Sequence, residues 1–170
     1  MTKILVTGGA GYIGSHTIIE LVNAGYTPII VDNLCNTSTR NIDGIEKIIG
    51  SKVIWDNTDC TDKIAMEKVF SAEGKIEGAI HFAAYKAVEE SVQNPQKYYD
   101  NNLGSLKVLL QCMSENSIKN IDLAYETWVF CKLVEAIDQR FGIKDLDFNT
   151  KNEYVEFVHD GQSIFLVHET

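Results

Sequence analysis

The sequence predicts an α/β fold, a truncated Rossmann-like doubly wound parallel sheet, followed by a helix and an antiparallel β-hairpin. In the first part, short apolar runs typical of strands alternate with longer stretches of helical spacing. Parallel strands need a crossover between them, and a helix is the usual crossover. Near the end of the chain, Asn152–Val158 and Gln162–His168 alternate polar and apolar residues around Asp160-Gly161, which favours a hairpin turn.

Composition and charge restrict the possible functions. The chain has 170 residues, of which 45% are hydrophobic, enough for one domain with a sizeable core. The net charge of −9 argues against a surface for nucleic acid or an anionic membrane. No apolar run is long enough for a bilayer or a signal peptide, so a cytoplasmic location is expected. The four cysteines and four histidines show no metal-ligand spacing, and no metal site is predicted.

The first strand leads into a glycine-rich turn. Ile4, Leu5 and Val6 end at glycines spaced G-x-x-G-x-x-G, and Tyr12–Asn23 then has helical spacing. Gly8 and Gly11 would let the backbone turn sharply near a ligand, and Gly14 would let helix and strand pack tightly. The unpaired N–H groups of the helix would favour an anion such as a pyrophosphate. The alternative is that the glycines serve packing alone.

An acidic residue follows the second predicted strand, Thr27–Val31. Asp32 stands at about the spacing at which a carboxylate reaches the ribose of a dinucleotide. Such a carboxylate accepts hydrogen bonds from the 2′-hydroxyl and repels a 2′-phosphate, so NAD is favoured over NADP. Alternatively, Asp32 merely opens the turn before Leu34. The polar loop Asn33–Asn41 could contact an adenosine or could be solvated.

The remaining elements follow from apolar spacing and capping residues. Apolar side chains expected to face the core are Ile13, Ile18, Leu21 and Val22 in the first helix, Ile42, Ile45, Ile48 and Ile49 in the second, and Ile64, Met66, Val69 and Phe70 in the third. The predicted bounds are Arg40–Ile49 (helix), Lys52–Trp55 (strand), Lys63–Ala72 (helix, capped by Asp62), Gly78–Phe82 (strand) and Pro95 to Glu115 (helix). Lys119-Asn120-Ile121 would begin a fifth strand.

Four motifs in this order resemble the UDP-glucose 4-epimerase family of the extended short-chain dehydrogenases/reductases. The motifs are Thr7-Gly8-Gly9-Ala10-Gly11-Tyr12-Ile13-Gly14-Ser15-His16, Asp32-Asn33-Leu34-Cys35-Asn36, His81 to Ser91 and Tyr98-Tyr99-Asp100-Asn101-Asn102. The resemblance covers residues 1–120, about 70% of the chain. It implies an NAD-binding domain from an enzyme that interconverts UDP-glucose and UDP-galactose.

The resemblance also implies cofactor contacts at fourteen positions. Those at the pyrophosphate turn are Gly8, Gly11, Tyr12 and Ile13; those around the adenosine ribose are Asp32, Asn33 and Asn36; those near the adenine are Asp59 and Cys60; and those on the nicotinamide side are Phe82, Ala83, Ala84, Lys86 and Asn101. Members of the family usually have glycine where Ala84 stands. Lys86 has an alternative interpretation as an exposed loop lysine.

No catalytic residue is predicted in this chain. In the family, a serine-rich turn follows the fifth strand, and a Tyr-x-x-x-Lys pair on a later helix supplies the base. Here Asp122–Glu126 stands in place of the serine turn, and none of the seven tyrosines has a lysine four residues on. The sugar-nucleotide domain is also expected to be missing from a chain of this length.

The last part of the chain does not match the family. We therefore expect an incomplete NAD-binding domain over residues 1–120 and an unrelated appendage over 121–170. The appendage would contain an amphipathic helix, Ala124–Phe141, whose buried side would carry Trp128, Cys131, Leu133, Val134 and Ile137. Tyr125–Phe130 faintly resembles the start of a restriction-endonuclease-like domain, but no Glu-x-Lys follows it, and no nuclease chemistry is predicted.

Three functions remain open on the sequence. The chain could be the NAD-binding part of an epimerase, which would take a UDP-sugar only if a missing domain were supplied. It could be a module that binds NAD and catalyses nothing. It could also be a fused product, with a junction near Asn120, that has no stable function. A homodimer is possible in each case.

Overall fold

The structure, a computed structural model, describes residues 1–118, 120–123, 149–152, 154–159 and 162–167. These residues form a single sheet with helices on both of its faces. The strands are β1 (Lys3–Thr7), β2 (Thr27–Val31), β3 (Ile54–Asp56), β4 (Gly78–His81), β5 (Asn120–Leu123), β6 (Asn149–Asn152), β7 (Tyr154–His159) and β8 (Gln162–Val167). The helices are α1 (Tyr12–Asn23), α2 (Thr39–Ile49), α3 (Lys63–Glu73), α4 (Val88–Gln93) and α5 (Pro95–Glu115).

The first five strands form the doubly wound sheet that the sequence predicts. They lie parallel in the order β3-β2-β1-β4-β5, so the direction of winding reverses between β1 and β4. The fold class is confirmed, including a fifth strand parallel to β4. A reversal of this kind leaves a crevice at the carboxyl ends of the two strands.

The alternation of side chains along the central strands produces two apolar layers. Leu5, Ile29 and Val31 pack with α3 and α5, whereas Val6 and Ile30 pack with α1 and α2. Successive residues of a strand point to opposite faces, so a strand covered on both sides must be apolar throughout. This requirement explains why β1 and β2 are almost continuous apolar runs.

The predicted hairpin is present, and it continues the same sheet. β7 and β8 pair antiparallel, and β8 lies parallel to β5, with Asp122 in register with Phe165. β6, which the sequence analysis did not predict, pairs antiparallel with β7. The predicted helix Ala124–Phe141, with its five candidate buried residues, lies outside the described residues. The boundary predicted at residue 120 stays a prediction; β5 begins there.

Three isoleucines were wrongly assigned to the core. Ile48 of α2 and Ile64 of α3 are exposed, and Ile13 of α1 is 40% exposed. Each lies in a helix whose other apolar residues already fill the layer against the sheet, such as Ile45 in α2 and Met66 in α3. Assigning the buried face of a helix from residue spacing alone therefore failed at the edges of its apolar stripe.

In the described ranges, no helix combines the length and apolar character needed to cross a bilayer.

Candidate functional site

A cavity of about 490 Å³ opens at the carboxyl ends of the parallel strands. Its walls come from the segments after β1, β2, β3 and β4 and from the first half of α5. This is the crevice expected where the winding direction reverses. The fold thus brings four separate loops to one place.

The glycines of the first turn differ in what they do. Gly8 has φ +68°, and a Cβ there would lie 2.7 Å from the amide nitrogen of Ala83. A Cβ on Gly14 would lie 2.4 Å from the carbonyl oxygen of Gly8. Gly11 has φ −68°, which any residue can adopt, and a Cβ there would meet only the Gly8 carbonyl oxygen, at 3.1 Å. Gly8 and Gly14 are therefore needed for packing, whereas Gly11 keeps backbone open to the cavity.

Helix α1 begins at this turn without a side-chain cap. Its N-cap is Gly11, which has no side chain to accept from the first N–H groups. Those groups lack intrahelical partners and lie at the positive end of the helix dipole. Tyr12 and Ile13 are on the first turn and line the cavity. The arrangement suits an anion.

Asp32 is buried at the end of β2 and holds two loops together. Its carboxylate accepts from the backbone N–H of Ala10 (3.0 Å) and from that of Leu34 (2.9 Å). The hydrogen bond from Leu34 belongs to the turn before Leu34, which the sequence analysis named as the alternative role of Asp32. The first bond ties β2 to the glycine turn. A carboxylate has about four acceptor sites, so the contacts leave room for another donor.

The next part of the wall is a hydrogen-bonded group around Asp59. Asn33 Nδ2 donates to Asp59 (3.1 Å), and the Thr61 backbone N–H and hydroxyl donate to the same carboxylate at 2.8 and 2.7 Å. Burial pushes the pKa of Asp59 upward, but the hydrogen bonds from Thr61 and Asn33 outweigh it, and the pKa lies below its usual value. Burial raises the pKa of the neighbouring Cys60 thiol, and the charges of Asp59 and Asp32 add to that effect. The thiol is therefore uncharged.

The loop after β4 crosses the other side of the cavity. It begins at Phe82, whose N–H donates to the Thr7 carbonyl oxygen (2.9 Å), and passes directly over Gly8. Helix α5 holds the loop from outside through Asn102, which exchanges two hydrogen bonds with the backbone of Tyr85. Ala83, Ala84 and Lys86 lie on this loop and line the cavity.

An aromatic and charged group fixes the orientation of Tyr85. The Tyr85 and Tyr98 rings meet edge to face, with their centroids 5.7 Å apart, and Lys97 Nζ lies 4.8 Å from the centroid of the Tyr85 ring. Glu90 accepts from Lys97 (2.6 Å) and from the Tyr98 hydroxyl (3.0 Å). Partial burial and the neighbouring Cys35 side chain raise the pKa of Tyr85. A neutral phenol thus faces the cavity.

All fourteen predicted site residues line this one cavity. Their roles toward a cofactor stay predictions. The structure adds lining residues that the sequence analysis had not assigned to the site, which are Gly14, Cys35, Thr37, Thr58, Tyr85, Ala87, Glu90, Lys97, Tyr98 and Ser105. The hydroxyl of Tyr98 contacts Glu90, eight residues earlier, and this contact leaves no periodic pattern in the sequence. Within the described ranges, no group of three His, Cys, Asp or Glu side chains could hold a metal ion.

Proteins of similar sequence include UDP-glucose 4-epimerases. The chain is 44% identical over 128 residues to the UDP-glucose 4-epimerase of Dictyostelium discoideum, and 46% identical over 127 residues to UDP-glucose 4-epimerase uge1 of Schizosaccharomyces pombe. Each alignment covers 75% of this chain, but only 37% and 36% of the relative. The chain therefore spans a little over a third of the length of these curated relatives.

Solved structures that match this chain also include UDP-glucose 4-epimerases. The UDP-glucose 4-epimerase of Bifidobacterium longum, solved in complex with NAD+ and UDP, matches with a TM-score of 0.70 and 49% identity over 72% of this chain and 36% of that chain. Residues 5–126 match the family model described as GDP-mannose 4,6 dehydratase. Because that match spans well over half of the sequence, the chain belongs to the GDP-mannose 4,6 dehydratase family.

Proposed function

We propose that this chain binds NAD in the cavity at the carboxyl ends of β1 to β4. The observation that carries the proposal is the opening at Gly11. Its backbone angle does not demand a glycine, a Cβ there would meet only the Gly8 carbonyl oxygen, at 3.1 Å, and Gly11 lines the cavity at the uncapped start of α1. A pyrophosphate against that backbone would accept from the first N–H groups of the helix. The NAD-bound epimerase of B. longum supports this choice of ligand.

The residues around the opening fit the rest of a dinucleotide. Asp32 has acceptor capacity for a ribose hydroxyl and would repel a 2′-phosphate, which favours NAD over NADP. Asn33, Asn36, Asp59 and Cys60 would enclose the adenosine, and the loop after β4 would border the nicotinamide ribose together with Asn101. Both sets line the same cavity, as an extended ligand requires.

The wider function is the NAD-binding part of an epimerase that interconverts UDP-glucose and UDP-galactose. Bound NAD would supply hydride transfer to and from the sugar. The chain's residues would bind and orient the cofactor, and a UDP-sugar would bind only with a further domain. The sequence holds no Tyr-x-x-x-Lys pair to supply a base. We therefore expect this chain alone to bind NAD, in the cytoplasm, without epimerising UDP-galactose.

Calorimetric titration with NAD tests the binding directly. We expect saturable heat from the parent chain, and none from Gly11→Val, whose side chain would fill the space of the pyrophosphate. The matched control is Gly44→Val, because Gly44 lies on α2 with nothing within 4 Å of its Cβ position and outside the cavity. Thermal unfolding of both variants establishes that they fold. Equal NAD affinity in Gly11→Val and the parent would place the ligand elsewhere.

A coupled assay for conversion of UDP-galactose tests the absence of catalysis. The parent chain is incubated with NAD and UDP-galactose, and a full-length relative serves as the positive control. We expect no turnover above the rate without protein. Turnover would show that another group in this chain acts as the base.

A further inference from the structure

Asn102 is a buried amide whose hydrogen bonds all point toward the cavity wall. It is 6% exposed and lies on α5. Its Oδ1 accepts from the Tyr85 N–H (2.8 Å) and from Asn101 Nδ2 (2.8 Å), and its Nδ2 donates to the Tyr85 carbonyl oxygen (2.9 Å). The side chain thus pairs with the backbone of one loop residue as a neighbouring strand would.

The loop that Asn102 holds has no regular structure of its own. It joins β4 to α4 and carries Ala83, Ala84 and Lys86 along the cavity. On its inner side, the Ala83 backbone lies against Gly8. On its outer side, Asn102 binds Tyr85, and the Ser105 hydroxyl, one turn further along α5, lies 3.4 Å from the Ala83 carbonyl oxygen. The loop is therefore fixed between the glycine turn and α5, and Asn102 makes the shorter contacts.

We propose that Asn102 is the positioning residue that sets one wall of the cofactor cavity. It fixes the course of the loop through Tyr85 and the orientation of the Asn101 amide, and both residues line the cavity. The inference rests on the proposed binding of NAD, because it assigns that wall to the nicotinamide half. Asp32, Asn33 and Asp59, assigned to the adenosine half, lie on other loops, and the side-chain hydrogen bonds of Asn102 go to Tyr85 and Asn101 instead.

The test compares NAD with ADP, which lacks the nicotinamide ribose. Asn102→Leu keeps the approximate size of the side chain and removes its hydrogen bonds. We expect NAD affinity to fall about tenfold, since two or more hydrogen bonds that shape the wall are lost. We expect ADP affinity to change less than about twofold, within the error of additivity for separate sites. Calorimetry measures both affinities, and circular dichroism establishes that the variant folds.

The control is Asn116→Leu, at the other end of α5. Asn116 Nδ2 donates to the Cys112 carbonyl oxygen (2.7 Å), so this change also removes an amide hydrogen bond, but outside the cavity. We expect it to bind both ligands as the parent does. If Asn102→Leu does not fold, Asn102→Ser, which is smaller and polar, is measured with the same expected direction.

The outcomes separate the two proposals. A parent chain that binds neither NAD nor ADP would remove the proposed function, and this inference with it. A parent that binds NAD, together with an Asn102 variant that binds NAD equally well, would overturn the positioning role alone. Equal weakening of NAD and ADP would also overturn it, because a general structural role predicts that result.

Discussion

At the scale of single residues, Gly14 shows most directly how packing dictates residue type. The nearest atoms to its Cβ position belong to the backbone of Gly8 and Gly9, at 2.4 and 2.7 Å, and backbone cannot move aside as a side chain can. We expect Gly14→Ala to lower the free energy of unfolding by about 2 to 3 kcal/mol. Denaturant unfolding measures the change.

Gly44→Ala is the control for that substitution. Gly44 is also helical, but its Cβ position is open. Alanine there should raise the free energy of unfolding by about 0.5 to 1 kcal/mol, because it restricts the unfolded chain and favours the helix. Similar losses in both variants would contradict the packing argument.

The free energy of unfolding should depend on pH through His81. This histidine is 1% exposed at the end of β4, with Nδ1 2.6 Å from the Thr7 hydroxyl oxygen, and burial lowers its pKa to about 4 from 6.5. Between those values the unfolded chain binds a proton that the folded chain does not. The free energy of unfolding should therefore fall by about 1.4 kcal/mol per pH unit as pH drops below 6.5.

Unfolding by urea at pH 7.5, 6.5 and 5.5 measures this slope. The comparison is His81→Gln, which has no titrating group at the site and should lose that part of the slope whatever its absolute stability. An unchanged slope in the variant would assign the pH dependence to other groups.

The sequence identified cavity-lining residues that nearby sequence determines, and it missed contacts between distant residues. Gly8, Gly11 and Asp32 were found because a turn and the residue after a strand are set by nearby sequence. Asn102 and Tyr85 are 17 residues apart, and their contact arises only when α5 packs over the loop after β4. The spacing of residues along the sequence does not show that packing, so the contact between Asn102 and Tyr85 was missed.

At the scale of elements, two helix starts differ in their capping. Asp62 accepts from the Ala65 N–H (3.1 Å) at the start of α3, whereas Ser38 makes no side-chain cap at the start of α2. We expect Asp62→Ala to lower the free energy of unfolding by about 1 kcal/mol. Ser38→Ala, measured in the same denaturant series, should have little effect. Equal losses would argue against the cap.

Strongly patterned elements were predicted closely. The bounds of α1, β2 and α5 match the prediction, because clear start and stop signals such as Gly25 and Pro95 mark them. β3 is Ile54–Asp56 rather than the predicted Lys52–Trp55, because the residues that pair with β2 are Ile54, Trp55 and Asp56. β6 was missed because its four residues, Asn149–Asn152, have no apolar alternation.

At the scale of the whole molecule, stability should be highest at the centre of the sheet. β1 is paired on both sides, and Leu5, Val6, Ile29 and Ile30 are fully buried. We expect their amides to exchange with solvent most slowly among residues 1–118, since they open only with global unfolding. β3, which ends one side of the described sheet, should exchange faster. Hydrogen exchange followed by mass spectrometry measures this, and equal protection of β1 and β3 would contradict it.

The parallel pairing of β8 with β5 has a consequence for complementation experiments. Consider a separate polypeptide that corresponds to the part of a relative that this chain does not cover. It could not add a strand beside β5, because β8 already pairs with that edge of β5. Such a polypeptide would first have to displace the terminal hairpin, and reconstitution in trans should therefore be slow unless the hairpin is removed.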